Sequence, residues 1–327
     1  MRIMSRPRAL VAAVAACLLL AGCGSGPSQV RAAFLLGDTE VSQDTVQQLI
    51  DKAVREQPAA QQLSQQHKLD QLGREIVGQL AQHELLVKAA RQEGLVADEA
   101  TVSGLLGEDP LVTPVSANGV DPSQLARQIA YRARDHREVF TDYGLMQALG
   151  RKHFGGLSVT YDYTVVTSDD GGAQPQSMRD KAFAKAERMA ASPAAADQVL
   201  REDAAAGVQT GSGQQISAVQ SPAAASTVLF GVPQGTVVAF QPSQQDTTWL
   251  VAVVRQRDSG VPSTAQQSAE PTEDQLVSTG LRLLQPYSEQ LRINPRYGVW
   301  DPVAMAVAPS AAESTGFVAP VKGSAQS

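Results

Sequence analysis

Cysteine is nearly absent from this chain of 327 residues, which contains only Cys17 and Cys23. Because both lie close to the N-terminus, the rest of the chain can hold no disulfide, no thiol nucleophile and no cysteine-ligated metal. Aromatic residues are also scarce, at 5% of the chain. The sequence therefore excludes disulfide-framework proteins and cysteine-dependent enzymes.

The chain also lacks an excess of basic residues. Its 27 lysines and arginines face 33 acidic residues, which gives a formal charge of −6. An acidic protein has no general affinity for phosphate backbones, so we predict no nucleic-acid partner.

Motifs that mark common enzyme families are missing. There is no GxSxG nucleophile elbow, no phosphate-binding loop and no GxGxxG fingerprint. The chain contains four histidines, which are His67, His83, His136 and His153. None of them pairs with another histidine or with a cysteine at metal-ligand spacing. The sequence thus predicts no catalytic residue, no metal and no cofactor.

The N-terminal segment has the pattern of an export signal over residues 1–22. Three arginines precede the apolar run from Ala9 to Leu20, which is too short to span a bilayer stably. The sequence Leu20-Ala21-Gly22-Cys23 then resembles a bacterial lipobox. This resemblance implies a lipidated Cys23, a tether over residues 23–29 and a membrane-anchored, extracytoplasmic protein. The alternative is an ordinary cleavable signal that happens to contain a cysteine.

With 43% hydrophobic and 18% charged residues, the chain suits a globular protein, and we predict an α-rich α+β fold. Residues 30–150 are predicted to be helical, with N-caps at Ser42, Asp98 and Asp121. The helix after Asp121 is predicted to continue to about Leu149. The longest predicted helix, over residues 69–94, carries a stripe that is either a client-binding surface or core. This stripe consists of Leu72, Ile76, Leu80, Leu86 and Val87.

The pattern changes to mixed strands and helices over residues 157–256, with Gly211–Gly213 predicted as a loop. A polar linker is predicted over residues 255–272. Residues 272–303 are predicted to form a helix to Ile293, interrupted at Pro286, and then a strand that packs on the N-terminal module. Residues 309–327 have few large apolar groups, so we predict disorder there.

The segment from Leu85 to Glu99 resembles the N-terminal helical module of SurA-like and PrsA-like extracytoplasmic chaperones. In it a helix ends at Gly94, and an apolar pair then leads into Asp98-Glu99. The run from Ala33 to Ser42 fits the short strand that precedes the first helix in that family, although Leu36 stands where an asparagine is common. The resemblance covers residues 30–106.

The order of predicted elements after Leu157 resembles a parvulin-type prolyl isomerase domain, above all over residues 229–238 and 249–255. Parvulins carry one histidine in the first strand and another at the start of the last strand. Our alignment places Tyr163 and Trp249 at these two positions. The resemblance thus implies a degenerate domain that has lost isomerase catalysis.

These observations favour a membrane-anchored folding factor that binds unfolded or newly exported proteins through apolar helical surfaces, without ATP. Two alternatives stay open. One is an active peptidyl-prolyl isomerase, and the other is a non-catalytic adaptor lipoprotein of the cell envelope.

Overall fold

The computed structural model describes residues 31–116, 120–167, 175–243, 247–260 and 270–323. The predicted signal peptide, Cys23 and the tether lie outside the described residues. Within the described part the chain is mixed α+β with more helix than strand, which confirms the predicted α-rich α+β class. No described helix combines the length and the apolar character that crossing a membrane requires.

The N-terminal part begins with a hairpin and continues as helices. Strands β1 and β2 are antiparallel and turn at Gly37, which has a φ of +58°. The elements in chain order are β1 (Ala32–Leu36), β2 (Thr39–Ser42), α1 (Gln43–Glu56), α2 (Pro58–Gln65), α3 (Leu69–Glu93), α4 (Glu99–Glu108), α5 (Pro122–Ala133) and α6 (His136–Phe154).

The predicted helix ends follow local chemistry. Ser42 Oγ accepts a hydrogen bond from the backbone N–H of Thr45 at 3.1 Å, and Asp98 and Asp121 also accept from backbone N–H groups. Gly94 ends α3 in the left-handed conformation, at a φ of 66°. The three predicted N-caps and this C-cap are confirmed.

The single helix predicted from Asp121 to about Leu149 is wrong, because the chain breaks between α5 and α6. Arg134 is extended, with a ψ of 173°. Asp135 then accepts a hydrogen bond from the backbone N–H of Glu138 at 2.9 Å and N-caps α6. A second N-cap inside an apolar pattern therefore starts a new helix that runs to Phe154.

The second half of the chain forms an antiparallel sheet with helices between its strands. The elements are β3 (Ser158–Val166), α7 (Pro175–Ala190), α8 (Pro193–Ala205), β4 (Thr210–Ser217), α9 (Val228–Gly231), β5 (Thr236–Phe240), β6 (Trp249–Asp258) and, near the C-terminus, β10 (Gly316–Pro320). The five strands lie in the order β10-β5-β6-β3-β4.

Between β6 and β10 the chain returns to the N-terminal elements. Helix α10 (Glu273–Leu283) packs on α6, and strand β7 (Leu291–Ile293) pairs antiparallel with β1. Strands β8 (Val299–Asp301) and β9 (Ala306–Ala308) form a separate hairpin. The helix predicted to reach Ile293 is wrong, because it ends at Leu283 and a 3-10 turn with Pro286 leads into β7.

Parts of three predicted irregular segments are ordered strands. Gly211–Gly213 belongs to β4, where the ring of Tyr163 fills the space of a Gly211 side chain. The predicted linker begins too early, because β6 continues to Asp258, and its residues 261–269 lie outside the described residues. The disorder predicted over residues 309–327 is wrong for β10, which pairs with the edge of β5, while residues 324–327 lie outside the described residues.

Each face of the five-stranded sheet is covered. One face packs on α7 and α8 through residues that include Trp249, Val251 and Val253. The other face, with Ala252 and Val254, shares a core with α3, α6, α9 and α10. The strand alternation therefore sends neighbouring residues of β6 into two different cores.

Candidate functional site

Two neighbouring cavities form a groove that α3, α5, α6 and α10 enclose, with α4 at one end. Their volumes are about 390 Å3 and about 190 Å3. They share five lining residues, which makes them parts of one concave surface. The shared residues are Gln79, Gln82, Tyr131, Met146 and Val277.

The larger cavity has mostly apolar walls. Leu105 and Leu111 line the end near α4, and Tyr143 and Phe140 line the α6 side. Tyr143, Leu105 and Leu111 are each partly exposed rather than buried. An apolar groove of this kind can bury aliphatic or aromatic groups of a ligand, at about 25 cal/mol per Å2 of area removed from water.

The groove wall on α10 follows from helical spacing. Val277 and Leu281 lie four residues apart, so both face the groove. The helix starts in a fixed place, because Thr272 and Gln275 form a capping box. It packs tightly on α6 through Gly280, where a β-carbon would lie 1.9 Å from the carbonyl oxygen of Met146.

Gln79 lines the groove but is almost fully buried, at 4% exposed. Its Nε2 donates to the carbonyl oxygen of Arg127 at 3.1 Å, which ties α3 to α5. Its Oε1 has no donor in the described part of the chain and is shielded from solvent, so it contributes no ligand contact. A buried acceptor without a partner costs about 1–3 kcal/mol.

An ionic network closes one side of the larger cavity. The Arg134 guanidinium is buried and donates to Asp142 at 2.7 Å and also to Glu138. His83 Nδ1 lies 2.7 Å from the other Asp142 oxygen. Burial opposes protonation of His83, but the hydrogen bond and charge of Asp142, with Glu138, outweigh it and raise the pKa of His83 above its usual value.

His83, Glu138 and Asp142 are close enough to share a cation. However, the Arg134 side chain donates to both carboxylates, so a divalent ion would meet a buried guanidinium. We therefore assign the cluster to holding α5, α6 and α3 together rather than to metal binding.

The two positions aligned with the parvulin histidines do not meet. Tyr163 lies on the sheet face toward α9 and α10, opposite Ala252 in the β-ladder. Trp249 is buried on the other face, where its ring packs edge-on against Phe183 with centroids 5.5 Å apart. The residue near the start of β6 that shares the face of Tyr163 is Leu250. The alignment therefore places two family positions on opposite faces of one sheet.

The predicted stripe on α3 is mainly core. Leu72, Ile76 and Leu86 are each 0% exposed, while Leu80 and Val87 are partly buried. The groove instead uses Gln79 and Gln82, two polar positions of the same helix that the sequence analysis passed over. Their residue type does not identify them, because the same helix also carries Gln71 and Gln92.

The groove offers apolar walls and tyrosines at its edge. An extended polypeptide segment can place apolar side chains against such walls. Comparisons of the chain with protein-family models, with curated proteins and with solved structures found no match.

Proposed function

We propose that this protein is a membrane-anchored, extracytoplasmic folding factor that binds extended segments of unfolded or newly exported proteins in the groove. The observation that carries the proposal is the groove itself, whose larger cavity has mostly apolar walls. Anchoring through Cys23 keeps the groove near the membrane from which exported chains emerge.

Binding in this groove needs neither ATP nor a catalytic residue. Burying one aliphatic side chain contributes about 1.5–3 kcal/mol, and a single amide hydrogen bond contributes about 1 kcal/mol net. A segment that places one or two side chains in the groove is thus held weakly and released by simple dissociation.

The SurA-like and PrsA-like resemblance supports the same function. The chain has a short strand before its first helix, and the C-terminal segment returns to the N-terminal elements through β7 and α10. Strand β3 is followed by α7 and α8 and later by β5 and β6, which is the element order that the parvulin resemblance implies, and β4 and β10 are additional strands of the sheet.

Isomerase activity is not part of the proposal. The sheet face that carries Tyr163 packs on helices of the rest of the chain instead of lining an open cleft. Tyr163 and Trp249 lie on opposite faces, so they do not replace a pair of groups in one pocket. We expect no acceleration of prolyl cis/trans exchange, which takes tens of seconds or longer without a catalyst.

The test measures binding of a permanently unfolded client by fluorescence anisotropy, and suppression of its aggregation by light scattering. The protein is the chain from residue 23 onward with Cys23→Ser, which keeps it in solution. Val277→Lys places a charge in the groove and is expected to weaken client binding about tenfold, since it removes roughly one buried aliphatic contact.

A matched control is Val96→Lys. Val96 is 81% exposed and does not line the groove, so this substitution makes the same chemical change elsewhere. We expect it to bind the client as the parent does. Equal binding by all three proteins would exclude the groove as the client site. No binding by the parent to any of several clients would favour the adaptor alternative.

A further inference from the structure

A third cavity, of about 380 Å3, lies on the other side of α10 from the groove. It is bounded by the C-terminal end of α3, the end of α6, the end of β6 and the 3-10 turn after α10. In contrast to the groove, it is lined mainly by polar and charged side chains. The residues around it are Lys88, Gln92, Glu93, His153, Arg257, Ser259, Leu283, Pro286 and Tyr287.

Glu93 contributes the carboxylate of this cavity, and both its oxygens are occupied. Oε1 accepts from the Tyr287 hydroxyl at 2.8 Å. Oε2 lies 2.6 Å from His153 Nε2 and 3.1 Å from Lys152 Nζ. Burial opposes ionisation of Glu93, but the hydrogen bonds from these three groups outweigh it and lower its pKa. The carboxylate is thus charged and already neutralised by its own neighbours.

Arg257 and Lys88 bring two further positive charges to the cavity, and neither has a carboxylate partner. Arg257 is partly buried, and its Nε donates to the carbonyl oxygen of Phe230 at 2.8 Å. That bond fixes the guanidinium plane. Across the described ranges, neither Arg257 Nη atom nor Lys88 Nζ makes a hydrogen bond or a salt bridge.

The cavity carries an excess of positive charge. Glu93 is the one carboxylate among its lining residues, and it attracts Arg257 while it is bonded to Lys152. Lys88, Lys152 and Arg257 therefore share one carboxylate in a protein whose formal charge is −6. A guanidinium with both Nη atoms free matches the two oxygens of an oxyanion, and an ammonium adds a point charge. A phosphate group carries a charge of about −1.5 to −2 at pH 7, so it balances two such cations better than a carboxylate does.

We propose that this cavity is a phosphate-binding site in which the Arg257 guanidinium and the Lys88 ammonium hold the phosphate group. The Tyr287 and His153 side chains keep their hydrogen bonds to Glu93 and form part of the cavity wall. The phosphate is either free in solution or the monoester headgroup of a lipid, and the two sources are separated by experiment.

The experiment titrates inorganic phosphate into the Cys23→Ser chain by isothermal titration calorimetry, with acetate at the same ionic strength as the comparison anion. A second arm measures co-sedimentation with phosphatidylcholine vesicles, with and without phosphatidic acid. Lys88→Gln and Arg257→Gln are each expected to weaken phosphate affinity about tenfold or more, because each removes a charge-assisted contact.

Lys52→Gln is the matched control, since Lys52 is a partly buried lysine of α1 outside the cavity. It makes the same charge change and is expected to leave the affinity within about twofold of the parent. Lys88→Gln removes no hydrogen bond or salt bridge between described residues, so it keeps the test valid even if Arg257→Gln disturbs the Phe230 contact.

Tight phosphate binding that both cavity variants lose, and that Lys52→Gln keeps, supports a site for free phosphate. Binding only to phosphatidic acid vesicles, with the same losses, supports a headgroup site. The proposal is overturned if phosphate binds no better than acetate in solution and phosphatidic acid does not increase vesicle binding. It is also overturned if Lys88→Gln binds as the parent does.

Discussion

Gly280→Ala tests the contact between α10 and α6 that shapes the groove. A β-carbon at Gly280 would lie 1.9 Å from the carbonyl oxygen of Met146, and one at Gly150 would lie 2.0 Å from that of Leu276. Both neighbours are backbone atoms, so the two helices must separate. Overpacking of this kind costs about 1–3 kcal/mol, and here we expect the upper end because no flexible side chain can move aside.

Alanine also favours the helix over glycine by about 1 kcal/mol, so the net destabilisation is about 2 kcal/mol. For a chain of this size the midpoint of thermal unfolding should fall by roughly 3 °C. The control is Gly104→Ala in α4, where a β-carbon would meet nothing within 4 Å. It should raise stability by up to about 1 kcal/mol. Urea unfolding measures both, and a Gly280→Ala protein as stable as the parent would refute the close packing.

Three further predictions concern stability. His83 has a raised pKa in the fold, so its contribution is complete below its unfolded pKa and is lost as pH rises through the folded pKa. The difference in melting temperature between the parent and His83→Gln should therefore be larger near pH 5.5 than near pH 8.5, and a difference independent of pH would contradict this. Deleting residues 316–327 removes β10 and the contact of Phe317 with Phe183, whose rings are 5.9 Å apart, and should lower stability. A truncated protein as stable as the parent would contradict the pairing of β10 with β5. Arg282→Met should destabilise by about 3 kcal/mol in urea unfolding, because the buried guanidinium donates to the carbonyl oxygens of Ser226, Pro302 and Val303; a loss below 1 kcal/mol would show that these carbonyls find other donors.

The elements that could be predicted from sequence are those whose causes are local. Ser42, Asp98 and Asp121 cap helices through backbone groups two or three residues away, so the pattern of the chain is enough to locate them. Gly94 ends α3 for an equally local reason, its left-handed φ.

The errors have two kinds of cause. The break between α5 and α6 is local, since Asp135 N-caps α6 through the backbone N–H of Glu138, and the apolar pattern hid it. The order of residues 316–320 depends on a distant strand, because β10 pairs with the open edge of β5. The short apolar run around Phe317 does not reveal that partner.

The site could not be predicted for the same reason. The stripe on α3 has helical spacing, but spacing does not tell a buried face from an exposed one, and most of the stripe is core. The groove is formed by α10, which joins α3 and α6 from more than a hundred residues away in sequence. Its position is thus a property of the tertiary fold.

Helix α10 lies between the two proposed sites and lines both of them. Val277 and Leu281 face the groove, while Leu283 lies on the opposite side of the helix and lines the phosphate cavity. The two sites share no lining residue, so we expect them to bind independently. Gly280→Ala is the exception, since it displaces the helix as a whole. It should weaken client binding and phosphate binding together, whereas Val277→Lys and Lys88→Gln should each affect one site alone.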